Sequence, residues 1–208
     1  MSTVVTPEVL AQSLDFDAYL DLTKNIIEQE SFRTEMYQND KMLAYTRENL
    51  ARMNRVLTTI NLDSKLYNAV SELKEEWLWV IITEPWCGDA AQIVPALHTI
   101  ASVSEKITCR YVLRDTNQAV INAYLTNGGQ AIPKLVCFRK ADMTELGTWG
   151  PRPVAAQALV DDFKANPNGR TFGDFVRQLH AWYEENKSAD VQDELTLLVK
   201  TWKENSLK

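Results

Sequence analysis

Cys87 is the residue of this chain best placed to do chemistry. It lies in Thr83-Glu84-Pro85-Trp86-Cys87-Gly88-Asp89-Ala90-Ala91-Gln92-Ile93-Val94-Pro95, directly after the apolar run Trp77 to Ile82. A strand running into a helix puts the cysteine at their junction. There the free N–H groups of the first helical turn and the positive end of the helix dipole favour a thiolate. Cys87 is therefore expected to stand exposed at the helix start and to ionise more readily than a free cysteine. Asp89 pulls the other way, because a carboxylate close to a thiol raises its pKa even while it suits the helix terminus. The sequence leaves that balance open. A dithiol redox site needs a second cysteine three positions on, where this chain has Ala90. Whatever is done here is done by one thiol.

The other candidate chemistry is thin. Cys109 and Cys137 sit inside β-prone runs and read as buried, inert core residues, and three widely spaced cysteines fit neither a disulfide framework nor a zinc site. His98 and His180 occur singly on helices without metal-ligand spacing, so packing or solvent is their expected fate and no metal is called for. The net charge is −6 over 208 residues, with no Lys/Arg stripe, which opposes binding to nucleic acid. No apolar run approaches the roughly 20 residues needed to span a bilayer, and Met1 to Pro7 lacks the basic start and apolar core of a signal peptide. A cytoplasmic protein with reduced thiols is the expectation.

The elements that must position Cys87 can be read from periodicity. The first 75 residues read as helical: Phe16, Tyr19, Leu20, Thr23, Ile26 and Ile27 recur at helical spacing, then Met42, Tyr45, Asn49, Leu50, Met53, Leu57 and Ile60. These stripes read as core faces; the polar Asn49, Arg52 and Arg55 beside the second read as a solvated face, with contact to the site as the alternative. A third short helix would carry Leu62, Leu66, Val70 and Leu73, capped by Asn61 or Asp63. At Trp77 the pattern becomes continuous and β-prone, as in a strand buried on both faces. The Cys87 helix should run to about Ser104. A strand over Ile107 to Leu113 and a helix over Asn117 to Leu125 come next, the latter ending at Gly128-Gly129 with a glycine C-cap. Lys134 to Arg139 and Glu145 to Trp149 read as strands, Val154 to Lys164 as a helix. After the break at Pro167-Asn168-Gly169, the tail from Thr171 adds two amphipathic helices. A βαβα run followed by ββα implies an α/β mixed sheet flanked by helices. The length suits one well-cored unit plus extensions.

Three separated features resemble the thioredoxin family. Trp86-Cys87-Gly88-Asp89-Ala90 is similar to that family's Trp-Cys-Gly-Pro-Cys site, with Pro95 where the family has a helix-kinking proline. Ala131-Ile132-Pro133 resembles the Ile-Pro whose proline is cis and faces the active cysteine. Trp149-Gly150 resembles the pair ending the last strand beside the site. The resemblance covers about 76–164, and it implies a thioredoxin-like domain over 76–166, with a helical extension over 1–75 and a helical tail over 167–208. It is closer still to a bacterial single-cysteine group with Trp-Cys-Gly-Asp at the site, Leu-Thr-Asn-Gly-Gly before Ile-Pro, and Trp-Gly-Pro-Arg-Pro after the last strand. Ala90 replaces the resolving cysteine, Asp89 replaces proline, and Ile81 stands where thioredoxin carries a buried acid.

What the resemblance implies about the site can be set out by residue. Trp86, Ile132 and Trp149 would form an apolar rim, with Gly88, Pro133 and Gly150 beside it. The backbone of Ile132 would face a bound peptide, which can pair with it as an extended strand. Arg114 and Arg152, beyond two strand ends, would open on the Cys87 edge and stabilise a thiolate or hold a ligand carboxylate; pairing with Asp115, Glu145 or other acids is the alternative. Pro151 and Pro153 stiffen the turn around Arg152 and favour a fixed contact, to the Cys87 region through Asp89 or to a ligand. Its loss is expected to change stability by no more than about 1 kcal/mol, as for a surface residue. The function implied is single-cysteine thiol–disulfide exchange with a protein, peptide or glutathione disulfide, resolved by an external thiol. No cofactor is required beyond glutathione as possible co-substrate. The alternative is a peptide- or protein-binding module without turnover. The residues around Cys87 do not resemble those with which single-cysteine glutaredoxins hold an iron–sulfur cluster.

Overall fold

The computed structural model describes residues 4–206. At its centre lies a four-stranded mixed sheet in the order β2-β1-β3-β4, formed by β1 (Trp77–Thr83), β2 (Ile107–Leu113), β3 (Lys134–Arg139) and β4 (Thr144–Trp149). β1 runs parallel to β2 and antiparallel to β3, and β3 is antiparallel to β4. Every residue of β1 is buried, as its unbroken apolar run dictates for a central strand covered on both faces. Register places Ile81 opposite Tyr111 on one side and Leu135 on the other.

Helices cover both faces. The chain begins with α1 (Pro7–Gln12) and α2 (Phe16–Glu28), followed by α3 (Asp40–Thr59) and α4 (Ser64–Ser71). The short α1 was not legible in the sequence. The Leu14 N–H and C=O exchange hydrogen bonds with Tyr111 at 2.9 and 2.8 Å, which covers the outer edge of β2. Asp63 caps α4, as expected, accepting from the Lys65 N–H at 2.8 Å. The site helix is α5 (Gly88–Ala101), and it packs along α3. α6 (Gln118–Ala123) is shorter than expected, and its C-cap is Tyr124 rather than a glycine. Asn127 and Gly128, both at positive φ, instead make a separate tight turn closed by reciprocal Thr126–Gly129 backbone hydrogen bonds of 2.9 Å.

α7 (Val154–Ala165), α8 (Phe172–Asn186) and α9 (Ala189–Ser206) complete the chain. A capping box between Thr171 and Asp174 starts α8. Trp202 of α9 meets Trp77 and Trp79 edge-on, ring centroids 6.2 and 6.3 Å apart, so the tail is built into the core. One apolar core runs from Val5 through the sheet to Trp202. Among the described residues, no helix is long and apolar enough to cross a membrane.

Candidate functional site

The site begins where β1 stops. The segment from Glu84 to Trp86 is held from α3, whose Asn49 is fully buried and donates from Nδ2 to the Pro85 carbonyl at 3.1 Å. Arg52 donates to the Asn49 Oδ1 at 2.8 Å and Arg55 to the Gln92 Oε1 at 3.1 Å. The polar side of α3 is thus turned toward the Cys87 segment, the alternative to the solvated face that the sequence left open. A buried amide within an apolar stripe needs a partner, and here the partner is the loop carrying the cysteine.

Cys87 is the N-cap of α5, with extended backbone. Its Sγ accepts from the Ala90 N–H at 3.5 Å, and its thiol donates to the Ile132 carbonyl at 3.4 Å. The Ile132–Pro133 bond is cis, as the resemblance implies; so is Gly150–Pro151. Gly150 sits at φ +108°, and a Cβ there would come within 2.5 Å of the Pro133 carbonyl, so only glycine lets β4 end against this loop. The expectation of an exposed, readily ionised thiol does not hold. Cys87 is only 7% exposed, and its pKa is pushed up to about 12, first by burial and then by the Asp89 charge. The Ala90 and Asp89 N–H groups and Arg152 oppose this without reversing it. Burial and Asp89 outweigh the helix terminus, and the thiol is protonated at neutral pH.

Asp89 is itself nearly buried and held at both oxygens. The Tyr183 hydroxyl donates to Oδ1 at 2.8 Å and the Arg152 guanidinium pairs with Oδ2 at 2.6 Å. Arg152 therefore reaches the Cys87 region through Asp89. Its partners, Asp89 and Gln157 (3.1 Å), are structural ones, which corrects the view of it as a surface residue without a partner.

Arg114 lies over the Trp86 ring, 4.6 Å from its centroid, and pairs with Asp115 through two N–H groups at 2.7 and 2.8 Å. Asp115 also accepts from the Trp86 indole at 3.0 Å, and its own N–H donates to Glu84 at 2.7 Å. Burial pushes the Glu84 carboxyl up to about 7, although the Asp115 N–H works against it.

A second polar chain lies behind Gly88. Gln92 gives its Nε2–H to His180 Nδ1, and His180 Nε2 meets the Tyr45 hydroxyl, each at 3.1 Å. Because Arg55 fixes the Gln92 oxygen, the proton of His180 belongs on Nε2 and is donated to Tyr45. Burial first, then Arg52 and Arg55, push the imidazole down to about 4, so it is neutral. A Cβ at Gly88 would fall 2.2 Å from the Tyr45 hydroxyl, so glycine is what admits this contact.

These elements enclose a cleft of about 600 Å³. Of the residues singled out in the sequence, Trp86, Cys87, Gly88, Asp89, Arg114, Ile132 and Arg152 line it. Pro133, Trp149 and Gly150 do not. Trp149 is buried, with its indole N–H tied to Glu194 of α9 at 2.7 Å, so it is no part of an apolar rim. That place is taken by Met42 and Tyr45 of α3 and by Phe172 and Val176 of α8. Met42 and Tyr45 lay in a stripe read as core, and nothing in the sequence marked Val176. Phe172, an aromatic at the first position of α8, was the available signal. Neither Cys109 nor Cys137 lines the cleft; Cys137 is buried as expected, whereas Cys109 is half-buried, and desolvation raises the pKa of both thiols. His98 packs against Phe16, ring centroids 3.8 Å apart. Among the described residues there is no cluster of metal-ligating side chains.

The family model for thioredoxin matches residues 35–164. The chain belongs to the thioredoxin family. Its match begins before β1 and takes in α3, so the helix that holds the cysteine loop lies within the matched region. No curated protein matches this thioredoxin-family chain. Two solved structures are similar in fold. One is an HIV epitope-scaffold, 16% identical, with a TM-score of 0.58 over 93% of this chain and 96% of that one. The other is a protein of unknown function from Pseudomonas aeruginosa, also 16% identical, with a TM-score of 0.53 over 86% and 96%. At that identity they speak to the fold alone.

Proposed function

We propose that this thioredoxin-family protein carries out single-cysteine thiol–disulfide exchange in the cleft over Cys87, with the thiol held protonated at rest. The supporting observation is that Cys87 is the only cysteine lining that cleft among the described residues, with its sulfur between the Ala90 N–H and the Ile132 carbonyl. The reading places the chain in the single-cysteine group with Trp-Cys-Gly-Asp and Trp-Gly-Pro-Arg-Pro motifs. It takes 76–166 as the thioredoxin unit, with the flanking helices walling its site, in the reducing surroundings of the cytoplasm.

In the first step the Cys87 sulfur attacks one sulfur of a disulfide R–S–S–R′, the S–S bond breaks, and R′S⁻ leaves and takes up the proton that Cys87 gave up. An external thiol then attacks the mixed disulfide and restores Cys87, because Ala90 has no thiol with which to resolve it. The net result is transfer of oxidation from R–S–S–R′ to the external thiol. A ligand N–H donated to the Ile132 carbonyl would compete with the thiol for that acceptor and so remove one contact that favours the protonated form.

A second reading, a binding module without turnover, is favoured by the pKa of about 12 and by the burial of Cys87. Intact-protein mass spectrometry after exposure to oxidised glutathione separates the two. Exchange requires a glutathione adduct that is absent in Cys87→Ser and is removed by reduced glutathione. No adduct on the folded protein at pH 9 would leave the binding module.

A further inference from the structure

Three features of the cleft go beyond the exchange reading. Its walls come from six segments, the starts of α3 and α8 among them, so helices from before and after the sheet bound the space above Cys87. A cleft of about 600 Å³ lies within the size range of small-molecule sites, roughly 300–1,000 Å³. Its surface is divided between apolar and cationic parts. Met42, Tyr45, Trp86, Ile132, Phe172 and Val176 supply apolar area, and Phe172 is 71% exposed, a large aromatic left open at the mouth.

Three cations, Lys41, Arg114 and Arg152, line the cleft against one carboxylate, Asp89, in a chain whose net charge is −6. Arg114 pairs with Asp115 and Arg152 with Asp89, whereas Lys41 has no ion pair among the described residues. Neither arginine is saturated. A guanidinium has five N–H donors, and the Nε–H of Arg152 is buried without an acceptor. That Nε–H has no surface open to the cleft, so Lys41, which has no ion pair among the described residues, and Arg114 are the cations left to meet an anion there.

We infer, resting on the exchange reading, that the substrate is a small amphipathic anion, an apolar chain that bears the disulfide and ends in a carboxylate. The chain lies against Phe172, Val176 and Met42, with the carboxylate at Lys41 and Arg114 and the disulfide over Cys87. Asp89, locked between Tyr183 and Arg152, keeps this end of the cleft from becoming a general anion trap and favours ligands whose charge stands away from the sulfur.

The test is calorimetric titration of Cys87→Ser, which removes exchange and leaves the cleft, with lipoate, its neutral amide lipoamide, octanoate, and a disulfide-linked pair of acidic hexapeptides. Lipoate and octanoate should bind, and lipoamide at least about fivefold more weakly. Lys41→Ala and Phe172→Ala, both at exposed positions, should each weaken lipoate about three- to tenfold. Lipoamide binding as tightly as lipoate, tighter binding of the peptide, or no binding of lipoate would each overturn the inference. Mixed-disulfide formation between wild-type protein and lipoate reports separately on exchange. Anion-selective binding to Cys87→Ser without that adduct would sustain the cleft's specificity and remove the exchange reading.

Discussion

Changing Asp89 to Asn tests the electrostatics that hold Cys87 protonated. With its pKa at about 12, Cys87 is a thiolate in only about 1 part in 100,000 at pH 7. A free cysteine near 8.5 is about 3% ionised. That is a deficit of about 3,000-fold in thiolate. A more basic thiolate is also a better nucleophile, with a Brønsted slope of about 0.4–0.5, which recovers about 40-fold. Cys87 should therefore alkylate about 100-fold more slowly than a free thiol at pH 7, before any steric effect of burial. Its rate should rise about tenfold per pH unit up to at least pH 9.5. Asp89→Asn removes the like charge, frees Arg152 to act on the sulfur, and keeps an oxygen to accept from Tyr183. A fall of about one unit in the Cys87 pKa gives about tenfold more thiolate and, after the loss in nucleophilicity, a rate about three- to fourfold higher at pH 8. The assay is iodoacetamide labelling read by peptide mass spectrometry across pH 6.5–9.5. A midpoint below about 9 in the wild type, or a slower rate in Asp89→Asn, would refute the reasoning.

Other perturbations bear on the same site. Arg152→Ala leaves the Asp89 carboxylate nearly buried and unpaired, so stability should fall by about 2–4 kcal/mol in denaturant unfolding, with slower Cys87 labelling; a change under about 1 kcal/mol would return Arg152 to the surface. Ala90→Cys places a thiol one turn from Cys87 and should let the variant reduce lipoate without an external thiol, leaving an intramolecular disulfide that mass spectrometry detects and the wild type does not form; such a disulfide in the wild type would mean that Cys109 or Cys137 resolves the mixed disulfide. Glu84 has a folded pKa of about 7 against 4.5 unfolded, so the stability it contributes is fully present below about pH 4.5 and is lost as pH rises through 7. Wild type should therefore lose about 2–3 kcal/mol more than Glu84→Gln between pH 4.5 and 8, and parallel stability curves for the two would place the carboxyl in a solvated setting.

How far the sequence disclosed this arrangement depends on the range of the interactions. β1, β2 and β3 follow from runs of buried, β-prone residues, and β3 falls where its pattern put it, because local composition and burial agree there. The single thiol was legible in the residues themselves, the cis proline in the resemblance to the thioredoxin family, and the Arg152–Asp89 contact as one of the alternatives that a stiff turn beside the last strand allowed. The ionisation of Cys87 was not. It is decided by burial under walls whose residues lie some 45 positions before it and 85 after it. Asn49, Tyr183 and His180 reach the site from outside the motif, the first two by one hydrogen bond and His180 by two, between elements distant in sequence. Periodicity locates the face of α3 and α8 that is buried, and it does not say that part of that face covers a cleft. Trp149 shows the converse. Its motif places it beside the site, and the tail helix α9 turns its indole away to Glu194.

The most direct test of single-cysteine exchange in this cleft is the steady-state reduction of a small disulfide by excess external thiol, followed from pH 7 to 10. The account predicts a rate proportional to protein concentration, rising with pH as the thiolate forms, abolished in Cys87→Ser and retained in a Cys109→Ser, Cys137→Ser double variant. Equal rates for wild type and Cys87→Ser across that range would contradict it.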